Sequence, residues 1–130
     1  MGRMGGTAGL ALLVALAGGC ATEPGQAIQA LFVPSKGEAT LKTGLKQYEE
    51  GDYVDSQKSL VAAIDQGLRD RDRVNAHKHL AFIHCASSRE RQCREEFRKA
   101  LALEPGLELS AAEAGHPTWG PIFRSMKAGR

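Results

Sequence analysis

Residues 37–70 read GEATLKTGLKQYEEGDYVDSQKSLVAAIDQGLRD, and residues 74–107 read VNAHKHLAFIHCASSRERQCREEFRKALALEPGL. Laid over one another at an offset of 37, the two keep residue class at the positions that matter for packing. Gly44 falls on Ala81, Gly51 on Ser88, Ser56 on Cys93, Leu60 on Phe97, Ala63 on Ala100 and Ile64 on Leu101. Small falls on small, turn on turn and large apolar on large apolar. Self-similarity at such an offset is the mark of a repeat built from one supersecondary unit. No proline occurs between Lys36 and Glu104. Across that span apolar residues recur at three and four, the helical period, rather than at two. Leu41, Leu45 and Tyr48 form one stripe, and Val54, Leu60, Val61, Ile64 and Leu68 a second. Val74, Leu80, Ala81, Ile83 and His84 form a third, and Phe97 and Leu101 a fourth. Gly51-Asp52 and Ser87-Ser88 punctuate them. The expectation is an all-α domain of two helical hairpins, units 37–70 and 74–107, with Arg71-Asp72-Arg73 inserted between them. The run Asp70 to Arg73 reads as a solvated loop.

These spacings resemble the tetratricopeptide repeat. In that pattern a small residue lets two antiparallel helices approach, a turn follows seven residues later, and then small, bulky and small residues precede a closing proline. Glu50-Gly51-Asp52-Tyr53 is the most repeat-like stretch, and Pro105 stands at the closing position of the second unit. Leu68 stands at that position in the first, and the signature Trp is missing. Two units are fewer than the three that such stacks ordinarily need, so something must cover the open end. Residues 107–124, LELSAAEAGHPTWGPIFR, are the candidate. Ser110-Ala-Ala-Glu113 has the form of a helix capping box, and His116-Pro117 and Gly120-Pro121 read as stops. Trp119, Ile122 and Phe123 supply large apolar groups. His116, Pro117, Trp119, Gly120, Pro121 and Phe123 therefore make either a C-terminal cap on the repeats or a partner-docking motif, and the need for a cap favours the first.

Upstream, residues 1–20 read MGRMGGTAGLALLVALAGGC. One early charge, Arg3, precedes a short apolar stretch and a small-residue end, the layout of a secretory signal. The apolar stretch is too short and too glycine-rich to span a bilayer. Leu16-Ala17-Gly18-Gly19-Cys20 resembles a bacterial lipobox, with Ala17 where Leu is usual. That resemblance implies a signal peptide of residues 1–19, removed to leave Cys20 as an acylated N-terminus carrying palmitate-type chains. Ala21 in place of Asp implies sorting to the outer membrane, on its periplasmic face. Two or three acyl chains hold a protein stably on a bilayer. Residues 20–35 then form a lipidated tether, with Pro24, Gly25 and Pro34, and residues 36–130 the helical domain.

Composition narrows the partners. The 130 residues carry 17 Lys+Arg against 15 Asp+Glu, a net charge of +2 with no basic run, which argues against nucleic acid. Aromatic residues make up only 5%, so the core must be mainly aliphatic. In an oxidising compartment the two cysteines left after lipidation, Cys85 and Cys93, read as a disulfide across the second turn; two buried thiols are the alternative. His77, His79 and His84 near Cys85 suggest zinc, but His77 and His84 are two turns apart, about 10.5 Å along a helix, and His79 is on another face. No metal and no cofactor beyond the lipid are expected. Nor is there a nucleophile motif, a phosphate-binding loop or a carboxylate pair, and no enzymatic activity is expected. The inner groove of first helices offers Leu41, Leu45, Tyr48, Lys78 and Phe82 as a partner groove, with Lys78 placed to pair a carboxylate, unless the tail already fills it.

The lipobox, the stretch Lys78-His-Leu-Ala-Phe-Ile-His-Cys85 with Gln92-Cys93-Arg94 and Phe97, and the closing Glu113-Ala-Gly-His-Pro-Thr-Trp-Gly-Pro-Ile-Phe123 together resemble the TssQ family of type VI secretion-associated lipoproteins. The resemblance covers most of the mature chain. It implies a non-enzymatic adaptor or accessory scaffold binding a secretion-system envelope component. A pilotin-like or assembly-chaperone lipoprotein escorting an outer-membrane subunit is the alternative, and a periplasmic enzyme or metal carrier a third.

Overall fold

The computed structural model describes residues 33–129. The signal segment, Cys20 and the tether up to residue 32 lie outside the described residues. Among these the fold is all-α, with no strand. Helices α1 (Glu38–Glu49) and α2 (Tyr53–Gln66) form the first hairpin. Helices α3 (Asp70–Ala86) and α4 (Glu90–Leu103) form the second. A single turn, α5 (Ala111–Ala114), leads to the last helix, α6 (Trp119–Ala128).

Each hairpin closes with the same backbone device. At the first turn Gly51 takes φ 81°, and at the second Ser88 takes φ 59°. The Gly51 and Asp52 amides donate to the Tyr48 and Gln47 carbonyls at 3.1 and 2.9 Å. The Ser88 and Arg89 amides donate to the Cys85 and His84 carbonyls at 3.1 and 2.8 Å. These are the same bonds displaced by 37 residues. Asp52 also caps α2 by accepting from the Asp55 amide, which satisfies one donor that a helix start leaves open.

Close approach within the first hairpin rests on Gly44. A Cβ there would stand 2.9 Å from Leu60 Cδ2. Leu60, Ala63 and Leu41 are buried there together with Ala76, Leu80 and Ile83 of α3, so the hairpins share a core. The second hairpin buries Ala81, Phe82, Cys93, Phe97 and Leu101 with Trp119 and Phe123 of α6. Helix α6 lies against both α3 and α4 and closes one side of the stack.

Three local expectations need correction. Residues 71–73 are not a loop insertion; they are the first turn of α3, which starts at Asp70. Asp70 and Asp72 favour a helix start through the backbone dipole, and Arg73 and Arg69 pair with them. Gly120-Pro121 is not a stop. It lies in the opening turn of α6, where the missing proline N–H would have had no helical partner. Val54 and Val61 continue the apolar stripe of α2 but are 68% and 44% exposed, because no further helix among the described residues covers that side.

Candidate functional site

The inner-groove residues do not share one open surface. Leu41 is 4% exposed and Phe82 is 1% exposed, so both belong to the core. Leu45 and Tyr48 pack half-buried against it. Lys78 does pair with a carboxylate, but one from the chain itself: its ammonium donates to Glu113 Oε1 at 2.8 Å. The tail takes the rest of the space. The Trp119 ring stacks on Phe82 at 4.5 Å between centroids and 25° between planes, and Phe123 meets Phe97 edge-on at 5.1 Å.

The geometry of the tail explains its composition. Ser110 accepts from the Glu113 amide while Glu113 accepts from the Ser110 amide, a complete capping box. Trp119 Nε1 donates to the Glu113 carbonyl at 2.9 Å, so the one polar atom of the buried indole has a partner. His116 stacks flat on Trp119, with planes 3° apart, and its Nδ1 accepts from the Thr118 amide. A Cβ on Gly120 would sit 2.3 Å from the Ala114 carbonyl oxygen, and only glycine lets α6 start there. Pro117 and Pro121 are exposed. Of the tail residues singled out from sequence, Trp119, Gly120 and Phe123 are thus buried, and His116 covers Trp119.

Cys85 and Cys93 stand at disulfide distance, with Cα atoms 5.1 Å apart. Both are buried, one near the end of α3 and the other in the first turn of α4. The three histidines of α3 go separate ways. His77 Nδ1 meets Glu96 Oε2 at 2.6 Å. His79 packs edge-on against Tyr48 and Phe82 and its Nδ1 bonds to the Asn75 carbonyl. His84 accepts a bond from Arg89 Nε at 2.9 Å. Among the described residues no three His, Cys, Asp or Glu side chains come together as metal ligands, and no helix is long and apolar enough to cross a membrane.

Several of these groups titrate away from their ordinary ranges. Burial, with smaller effects from Tyr53 and Glu113, pushes the Tyr48 hydroxyl up to about 12. Burial holds His79 down, and burial followed by the Arg89 charge holds His84 down. Burial of Glu96 opposes its charge, but hydrogen bonds from His77 and Lys99 outweigh that and lower its pKa. Glu113 behaves likewise, with Lys78 and Ser110 overcoming burial.

Comparison with known proteins gives no match to a family model, a curated protein or a solved structure.

Two features lie outside the groove and tail residues named from sequence. On the far side of α3 from the tail, a cleft lies between the start of α2 and the end of α3, lined by Tyr53, Val54, Gln57, Ile83 and Arg89 among others. A second lies further along α2 and includes Val61, Ile64, Leu80 and the His77–Glu96 pair. Val54, Gln57, Val61 and Ile64 occupy one helical stripe, so both clefts open along the same side of α2. Glu96 sits in the apolar register between Cys93 and Ala100. An acid at such a position is the one sequence signal that could have pointed to a buried pair.

Proposed function

We propose that this protein is a non-enzymatic lipoprotein, anchored through Cys20 to the periplasmic face of the outer membrane, that acts as an adaptor or accessory scaffold of a type VI secretion system. Its tetratricopeptide-like hairpins hold a protein partner, and its tail serves as their cap. The lipobox and the closing Glu113–Phe123 segment support the setting. The observation that carries the partner-binding reading is the side of α2, where Tyr53, Val54 and Val61 are 42%, 68% and 44% exposed on a domain whose other described large apolar groups from residue 34 onward are covered. Contiguous exposed apolar surface rimmed by polar residues is a mark of interaction sites.

The test is a crosslinking pull-down from membranes with the full chain and a Cys20→Ala version. The expected result is recovery of type VI envelope subunits with the parent and their loss with the variant. Recovery of an unrelated outer-membrane assembly overturns the secretion assignment in favour of an escort role. Recovery unchanged by Cys20→Ala overturns the anchor.

A further inference from the structure

Arg89 is half-buried between the two hairpins, yet both of its hydrogen-bond partners are uncharged in character. Its Nε donates to His84 Nδ1 at 2.9 Å, and its Nη2 to Gln57 Oε1 at 2.8 Å. Accepting on Nδ1 agrees with the lowered pKa of His84, held down by burial and then by the Arg89 charge. Among the described residues Arg89 enters no ion pair, whereas most of the other arginines do. A partly exposed guanidinium bonded only to neutral acceptors keeps its charge available, and a carboxylate is its stronger, charge-assisted partner. Its position is the mouth of the cleft of about 250 Å³ walled by Tyr53, Val54 and Ile83. Lys58, at the rim, is already paired to Asp55.

We propose that this cleft docks an acidic peptide segment of a protein partner, with Arg89 binding the carboxylate and Tyr53 and Val54 receiving the adjacent apolar side chain. The inference rests on the reading of the chain as a partner-binding protein. It moves the binding surface from the inner groove, which the tail fills, to the opposite side of α3. Charge complementarity selects the occupant. A free inorganic anion would satisfy Arg89 but leave the exposed valine and tyrosine uncovered, whereas an apolar residue beside an Asp or Glu answers both.

The test is selection of a random dodecapeptide library displayed on phage against the full chain, followed by fluorescence anisotropy on the enriched peptides. Enrichment of sequences pairing Asp or Glu with a large apolar residue is expected. Arg89→Gln should weaken them by about tenfold or more, the scale of a charge pair with one partner removed, and Arg89→Lys should restore part of the binding. Val54→Asp separates binding from folding. Val54 is open to solvent, so the thermal midpoint should hold while peptide binding is lost through apolar loss and repulsion. Enriched peptides without a carboxylate, equal binding by Arg89→Gln, or no enrichment each overturn the proposal. So does a concentration-dependent dimer abolished by Val54→Asp, which would give the surface to a second copy. Failure here, with type VI subunits still recovered from membranes, retires the cleft and leaves the adaptor standing.

Discussion

In the first hairpin Ser56 Oγ donates to the Gly44 carbonyl across the helix pair at 2.7 Å. In the second, the residue 37 positions on is Cys93, placed at disulfide distance from Cys85 at the other side of the turn. The same contrast runs through the cores. Leu60 and Ala63 pack in an aliphatic setting, while their counterparts Phe97 and Ala100 sit among Phe82, Trp119 and Phe123. One hairpin is held by close backbone approach and a hydroxyl. The other has wider aromatic groups and is held by sulfur and by a borrowed helix. The offset preserves which positions touch, and leaves the chemistry of each contact free to change.

The sharpest way to break this contrast is to remove the borrowed helix. Trp119→Ala should cost about 3–5 kcal/mol, as for a large aromatic truncated in a core, read from the denaturant midpoint. Hydrogen exchange should show protection lost from α3 and α4 before α1 and α2. Uniform loss would mean that both hairpins depend equally on the tail. Reduction of the cysteine pair, or Cys93→Ser, should come next. A bridge over so short a loop contributes about 2–3 kcal/mol, against about 1 kcal/mol for the hydroxyl removed by Ser56→Ala. Equal losses would erase the distinction between the two ties.

The turns offer a finer comparison, because one left-handed position holds glycine and the other serine. Gly51→Ala should destabilise by about 1 kcal/mol, and Ser88→Gly should stabilise by somewhat less than about 1 kcal/mol. A midpoint shift in the same direction for both would show that the turns are not equivalent. The smallest effect concerns the interface between the hairpins, where His79 meets Tyr48. Burial holds His79 and His84 below 6.5 when folded, so the unfolded chain takes up protons first. Stability should therefore fall as pH drops below about 6.5 and level off once the lowered folded values are passed. His79→Gln should flatten that slope in thermal midpoints measured from pH 7 to 5. Glu96 acts lower, its contribution fading as pH falls below 4.5.

The helices and both turns were legible because period and punctuation are local properties of the chain. The capping box at Ser110 was legible for the same reason. The groove was not. Phe82 falls on the inner face of α3 by register, but whether that face is open depends on Trp119, 37 residues away, and on a helix that runs through Gly120-Pro121. Lys78 looked ready for a carboxylate, and nothing local says that Glu113 supplies it. Val54 and Val61 obey the apolar period, yet no neighbour among the described residues buries them. Arg89 is harder still, since its bonds to His84 and Gln57 arise only once two hairpins are packed.

The seat of α6 has a consequence for the life of the chain. The rings of Phe82 and Phe97 are covered only when Trp119 and Phe123 arrive, and those follow both hairpins in the chain. A chain that stopped before residue 113 would display a bare aromatic surface and an unanswered Lys78. Cover of the second hairpin thus waits on α6, and a cut before that helix leaves the surface open.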